Sequence, residues 1–347
     1  MPRELLAAVV GAGYWGPNLA RNFHASDSWR VACIVDSDPV RLERLARLYP
    51  HVAVHPTIDG ALKDASIDAV AIATPPRTHH SLAARAIDAG KHVLVEKPLA
   101  ESYESACDLE ARAERRGVRL MTDHTFLYTG SVEKLRVLRE SGELGRIYYI
   151  DSVRVNLGLF QESNVLWDLG PHDVSIINYV LGEEPQAVSL QLAACVHAET
   201  PDVAFLTLWY PSGCIAHVHL SWLSPVKVRR TTISASRKMA VWDDVDPNEK
   251  IYIYDKGVVL DPTSSTLQQQ MVSYRLGDLN VPLVDNREAL GKLVEDFARS
   301  IRDGTPTRSD GRFGAGVVRV IEGAVRSARQ GSARVELGAA TPSEAPS

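Results

Sequence analysis

Several features are scarce in this 347-residue sequence, and each scarcity removes a class of protein. No apolar run approaches the ~20 residues that a membrane-spanning helix needs, so no membrane partner is expected. Only four cysteines occur, Cys33, Cys107, Cys195 and Cys214, with no Cys-x-x-Cys pair and no histidine at metal-ligand spacing. They read as reduced thiols of a cytoplasmic protein, and neither a disulfide frame nor a metal site is expected. There is no concentrated basic block. The 38 Lys and Arg stand against 43 Asp and Glu, a net charge of −5, which argues against nucleic acid as a partner. The opening Met-Pro-Arg-Glu-Leu-Leu runs straight into a strand-like stretch without the layout of a signal peptide. What is present is the composition of an ordinary globular chain, 45% hydrophobic and 23% charged, long enough that two cores are favoured over one.

The first ~120 residues alternate short apolar runs with helical spacing, the pattern of a parallel sheet with crossover helices. Strands are expected at Leu5–Gly11, Val31–Asp36, His51–His55, Asp68–Thr74, His92–Glu96 and Val118–Asp123, and helices at Pro39–Leu48, Ser81–Ala89 and Ser102–Arg116. Beyond residue 124 the rhythm changes. Helices are expected over Val132–Glu140 and Val174–Val180. Consecutive β-rich runs then follow at Ile147–Val155, Ala187–Val196, Val203–Tyr210, Cys214–Trp222, Val228–Ala235 and Lys250–Tyr254, and two helices at Arg287–Ile301 and Gly316–Arg329. The expected fold class is therefore α/β followed by α+β: a Rossmann dinucleotide-binding domain over 1–123, then an α+β domain over 124–337 with a large, mostly antiparallel open sheet. Residues 338–347, rich in Ala, Pro, Ser and Thr, read as a disordered tail.

The sharpest motif is Gly11-Ala12-Gly13-Tyr14-Trp15-Gly16, directly after an apolar strand. In a Gly-x-Gly-x-x-Gly turn the first glycine makes the tight bend, the second lets backbone approach a pyrophosphate, and the third allows close packing of helix on strand. Asp36 ends the second strand 20 residues beyond Gly16, where a carboxylate accepts bonds from the adenosine ribose and repels a 2′-phosphate. NAD is favoured over NADP, with Arg41 nearby keeping NADP open as the alternative. Thr74-Pro75-Pro76 and Glu96-Lys97-Pro98 end the fourth and fifth strands, on the side where open α/β sheets bind ligands.

Gly-x-Gly-x-x-Gly, Thr-Pro-Pro-x-x-His (Thr74–His79), Glu-Lys-Pro (Glu96–Pro98) and Asp-x-x-x-His (Asp168–His172), in this order, resemble the glucose–fructose oxidoreductase / inositol dehydrogenase family (Gfo/Idh/MocA). The resemblance extends to about residue 330. It implies an NAD-dependent oxidoreductase in which Lys97 lies between nicotinamide and substrate hydroxyl, His172 is the acid/base, and Asp168 contacts substrate or orients its surroundings. Thr74, Pro75 and His79 would line the NAD site, with Glu96 near the nicotinamide ribose, beside Gly11, Gly13, Tyr14, Trp15, Gly16 and Asp36. The chemistry agrees: oxidising a secondary alcohol needs a base for the proton, a cation for the alkoxide and a hydride acceptor. The string Gly13-Tyr14-Trp15-Gly16-Pro17-Asn18-Leu19 resembles members acting on nucleotide-linked sugars.

Where many members carry Arg or Asn after the sixth strand, this chain offers His124 and Tyr128. Together with Arg154, Asn156, Gln161 and Asn164 they are expected to face substrate. His217 and His219 read as one polar sheet face, and Trp209, Trp222 and Trp242 as sheet or subunit packing. On one regular helix the four-residue spacing would put Asp168 and His172 on the same face, whereas Pro171 suits a first helical turn, which would instead place Asp168 ahead of the helix. An open sheet in the second domain implies a homodimer or homotetramer. Two rival functions are a glycoside hydrolase or lyase with tightly held NAD, and a non-catalytic NAD-binding sensor.

Overall fold

The computed structural model describes residues 3–158, 163–259 and 273–338. Expectations for Gln161 and for residues 339–347 lie outside the described residues. The chain divides into two compact units, one running to Tyr128 and joined by Arg287–Glu322, the other formed by Thr129–Asn286 with Gly323–Ala339.

In chain order the first unit begins with β1 (Leu5–Val10), α1 (Gly16–Ala25), β2 (Trp29–Val35), α2 (Pro39–Leu48), β3 (Ala53–His55), α3 (Asp59–Lys63), β4 (Ala69–Ile72), α4 (His79–Asp88), β5 (His92–Glu96), α5 (Tyr103–Arg116) and β6 (Leu120–Asp123). The six strands form one sheet in the order β3-β2-β1-β4-β5-β6, every neighbour parallel. Strands covered on both faces read as unbroken apolar runs, and Ala7, Ala8 and Val9 of β1 and Val93, Leu94 and Val95 of β5 are fully buried. The order doubles back between β1 and β4, so the loops after these strands open a crevice at their carboxyl ends.

The second unit continues with α6 (Gly130–Glu140), β7 (Ile147–Leu157), α7 (Val165–Leu181), β8 (Ala187–Ala193), β9 (Val203–Trp209), β10 (Ile215–Ser221), β11 (Leu223–Ala235), β12 (Met239–Asp243), β13 (Ile251–Val259) and β14 (Ser273–Asn280). After it come α8 (Ala289–Asp303), α9 (Gly311–Arg329) and β15 (Val335–Glu336). Its sheet runs β14-β13-β12-β11-β7-β10-β9-β8-β15. Among the described residues its pairs are antiparallel except β7 with β10, which run parallel. One face carries α7, which packs on β7, β9 and β10.

Two sequence expectations change. The span 124–337 does not form a single second domain, because α8 belongs with the first unit. Its apolar stripe of Leu290, Leu293, Val294 and Phe297 is buried, Phe297 stacks on Trp29 at 5.5 Å, and Trp29 meets Phe23 edge-on at 5.0 Å. The Trp29 indole N–H donates to the Val294 carbonyl at 2.8 Å, which satisfies its polar edge inside this aromatic cluster. The helix around His172 also starts nine residues earlier than Val174. Asn164 caps it by accepting the N–H groups of Leu166 and Trp167 at 3.1 and 3.2 Å, and it ends at Gly182 in the left-handed conformation. Pro171 is therefore in its interior and Asp168 in its first turn. A proline there removes the N–H that the Trp167 carbonyl would receive. The burial of Val165, Leu166, Val174, Ile176, Ile177 and Val180 holds the helix together through that missing rung.

If α8 is part of the first unit's core, Phe297→Ala should cost about 3–5 kcal/mol by emptying the Trp29–Phe23 cluster. Urea unfolding followed by tryptophan fluorescence measures it; a loss below about 1 kcal/mol would show that α8 is only laid on the surface.

Candidate active site

In the first unit the site is built from the loops that leave β1, β2, β4, β5 and β6. Gly11 has φ +100°, and a Cβ there would lie 2.5 Å from the Ala73 carbonyl oxygen. At Gly16 a Cβ would fall 1.7 Å from the Gly11 carbonyl oxygen, so only glycine lets α1 begin this close to the turn. Gly13 differs: its missing Cβ meets nothing nearer than Arg41 Nη1 at 3.6 Å, so its backbone is open to a ligand. Trp15 caps α1 without a side-chain hydrogen bond, leaving the positive end of the helix available to an anion. These features fit a dinucleotide pyrophosphate.

Asp36 is buried and accepts the Ala12 N–H at 2.5 Å on one carboxylate oxygen and the Asp38 N–H at 2.8 Å on the other. It therefore shapes the glycine loop besides standing where a ribose would bind. Asp38 caps α2, as an Asp-Pro pair should, and Arg41 pairs with it at 3.2 Å. Tyr14 is 91% exposed on the loop, stacked against Trp15. Thr74 and Pro75 form the turn after β4, the Thr78 hydroxyl donating to Thr74 Oγ1 at 2.7 Å and the Pro75 carbonyl at 2.8 Å.

His79 stands elsewhere than expected. It is fully buried, Nδ1 lying 2.8 Å from the Pro98 carbonyl and Nε2 2.8 Å from the Thr74 carbonyl. Burial pushes its pKa below the ordinary value, so the neutral ring donates to one of the two carbonyls. His79 thus ties the loop after β4 to the turn that carries Lys97.

Glu96 and Asp123 are register partners on β5 and β6. Glu96 is half-buried with its Oε1 sealed from solvent, and burial together with the adjacent Asp123 carboxylate pushes its pKa well up. Asp123 Oδ2 accepts the Trp15 indole N–H at 3.0 Å, and its Oδ1 accepts the Thr125 hydroxyl. Asp123 was not foreseen, because a strand-end aspartate carries no motif of its own.

Two expected substrate contacts in this unit turn inward. His124 is 1% exposed, edge-on to Phe313 at 5.7 Å, and burial with the nearby Lys97 charge lowers its pKa to about 3. Tyr128 is fully buried, donates to Asp296 at 2.8 Å and stacks under the Arg308 guanidinium. The spacing of Thr125-Phe126-Leu127-Tyr128 hid this, because a short 3-10 turn and not a loop holds them.

In the second unit Asp168 and His172 occupy successive turns of one helix face, both half-buried, and Asp168 Oδ2 accepts the Trp222 indole N–H at 3.3 Å. Arg154 is buried against Asp173 and does not reach toward a substrate. Asn164 is used as the α7 cap, while Asn156 stays half-buried near the end of β7. His217 lies 3.1 Å from Asp151 and stacks with Phe205, which also stacks with His219, on the sheet face away from α7. Trp222 and Trp242 are buried, and Trp209 lies under Arg334. Among the described residues no cluster of three or more His, Cys, Asp or Glu could hold a metal ion. Nor, among them, is any helix long and apolar enough to cross a membrane.

Comparison with known proteins gives two successive family matches. Residues 5–124 match the model for the oxidoreductase family with an NAD-binding Rossmann fold, and residues 132–241 match the GFO/IDH/MocA C-terminal domain. The chain is 31% identical to inositol 2-dehydrogenase 2 of Saccharopolyspora erythraea over 61% of its own length and 65% of that enzyme's. It is 27% identical to UDP-N-acetylglucosamine 3-dehydrogenase of Acidithiobacillus ferrooxidans, over 91% of this chain and 94% of that one. GenD2 from gentamicin A biosynthesis, solved in complex with NAD, superimposes with a TM-score of 0.81 at 25% identity, covering 98% of each chain. Against two of the curated relatives, the inositol enzyme among them, the match spans 59% and 65% of their own length. With an NAD-binding Rossmann unit followed by this open-sheet unit, the chain belongs to the Gfo/Idh/MocA oxidoreductase family.

Proposed function

We propose that this protein is an NAD-dependent dehydrogenase of a secondary hydroxyl on a sugar or cyclitol, with nucleotide-linked sugars as the substrate class. The observation that carries the reading is the glycine loop, open at Gly13 above an uncapped helix start, in a chain that also ends β5 in Glu96-Lys97-Pro98 and sets Asp168 and His172 on one helix face. The near full-length likeness to a UDP-N-acetylglucosamine 3-dehydrogenase supports the nucleotide-linked class, and the inositol dehydrogenase supports a ring hydroxyl.

Gly11, Gly13, Tyr14, Trp15, Gly16 and Asp36 would hold the dinucleotide, with Thr74, Pro75, Glu96 and Lys97 along its nicotinamide end. When bound, NAD supplies the acceptor for the hydride that leaves the carbinol carbon. His172, neutral, takes the hydroxyl proton as the carbonyl forms. The Lys97 ammonium stabilises the negative charge that develops on that oxygen. Asp168, anchored by Trp222, orients the substrate beside His172. The raised pKa of Glu96, from its burial and the neighbouring Asp123, lessens the negative charge next to Lys97.

A homodimer or homotetramer goes with this reading. On the face of the second unit's sheet away from α7, Tyr149, Phe205 and Ile215 remain substantially exposed. A shallow depression of about 480 Å³ there is lined by Tyr149, Asp151, Ile215, His217 and Thr232. A symmetric partner would cover it.

Four measurements check this. His172→Ala and Lys97→Ala should each lower turnover on the order of 10²–10⁴-fold while NAD affinity, by calorimetry, stays near wild type. Wild-type turnover should rise with pH as the His172 imidazole loses its proton. Near wild-type turnover in either variant would contradict the assigned roles. Asp36→Ala should weaken NAD binding more than NADP binding, because it removes both the ribose acceptor and the charge facing a 2′-phosphate; tighter NADP than NAD binding by the wild type would contradict the preference. Light scattering at micromolar concentration should give a dimer or tetramer mass, and a clean monomer would contradict the sheet-face assembly.

A further inference from the structure

The helix that bears His172 is pinned to its sheet by a buried charge pair that no motif assigns. Arg154 Nε on β7 lies 2.5 Å from Asp173 Oδ2, with side chains only 4% and 2% exposed. The Ser152 hydroxyl donates to Asp173 Oδ1 at 2.7 Å, and Thr231 of β11, its cross-strand partner, lies 3.0 Å from Ser152. Both carboxylate oxygens of Asp173 are thereby held in fixed directions. A buried ion pair is a poor way to gain stability, since apolar residues of similar volume often do as well or better. Its particular property is direction. Direction is what α7 lacks at this point, because Pro171 has removed the rung that would tie Trp167 to the next turn.

We propose that Asp173, held by Arg154 and Ser152, is a positioning residue that fixes the orientation of His172 after the proline break. This rests on the reading of His172 as the acid/base. The charged and titratable groups around α7 leave this role to the pair. On the helix itself, Asp168 is bonded to Trp222. On the α7 side of β7 the charge is Arg154, while Asp151 lies on the opposite face with His217. Arg229, the register partner of Arg154 on β11, is paired with Asp244. α6 brings Arg136, which donates to the Tyr179 carbonyl, and Tyr210 donates to Asn178, both toward the far end of the helix.

The test uses the full chain, its NAD affinity and its turnover on whichever sugar the wild type oxidises. Asp173→Asn should lower kcat by about 10- to 100-fold with NAD affinity unchanged, as expected when a catalytic group is misplaced by a fraction of its reach. The substitution would leave the buried Arg154 guanidinium without its counter-charge at the residue next to His172, and the acid limb of the kcat–pH profile should move to lower pH. The double variant Arg154→Met with Asp173→Asn removes both charges and should return that limb to its wild-type position. Ser152→Ala, which keeps the ion pair and the fold, should lower kcat severalfold at unchanged substrate KM. Wild-type kcat in both Asp173→Asn and Ser152→Ala would overturn the proposal, and so would a fall in kcat with no movement of the acid limb in folded Asp173→Asn. If Asp173→Asn does not fold, Ser152→Ala decides alone by its kcat. His172→Ala separates the two claims: full turnover there removes the acid/base reading itself.

Discussion

Helix α1 starts so close to the turn before it that no side chain fits between the Gly11 carbonyl and residue 16. Much of the first unit's site follows from that contact. It fixes where the helix points its positive end and brings the Ala12 N–H onto Asp36, and with it the carboxyl end of β2. It also sets Trp15 where its indole reaches Asp123 at the end of β6. Two strand ends are thus tied to one loop by side chains that accept its donors. His79 does the same from below, between the loop after β4 and the turn after β5.

Burial treats ionisable groups in two ways in this molecule. Around Lys97 it neutralises them. Burial, with the Asp123 carboxyl beside it, pushes the pKa of Glu96 well up, and His124 stays uncharged because it is both buried and close to an ammonium. Lys97 therefore stands near a carboxyl that resists ionisation and a neutral imidazole. Around α7 burial brings opposite charges together, the Arg154 guanidinium lying directly against the Asp173 carboxylate. The first arrangement sets the charge that a substrate oxygen would meet. The second sets the direction of a helix.

Most of the fold was legible in the sequence because its signals are local and repeated. Five of the six parallel strands run four to seven residues and show as apolar stretches, β3 having only three, and the glycine turn and Asp38-Pro39 announce the starts of α1 and α2. The cofactor loop was legible for the same reason: each glycine answers a separate steric demand. What escaped depends on tertiary partners. Pro171 argued for a helix start, and the Asn164 cap with a buried apolar stripe outweighed it. α8 looked like the end of the second domain, whereas its Phe297 completes a cluster with Trp29, more than 250 residues earlier. Arg154, His124 and Tyr128 read as substrate contacts from polar character and position along the chain, after the sixth strand or just before the Asp-x-x-x-His motif. Their partners Asp173, Phe313 and Asp296 stand 19 to 189 positions away, and no spacing rule links them.

The most direct measurement of the central claim is nicotinamide absorbance in a panel of nucleotide-linked sugars and cyclitols added to the protein with NAD. One member should be oxidised with NADH appearing in step with the ketone, and Lys97→Ala should abolish both signals together. Conversion of a sugar with no net change in nicotinamide, or with undiminished rate in Lys97→Ala, would contradict the account.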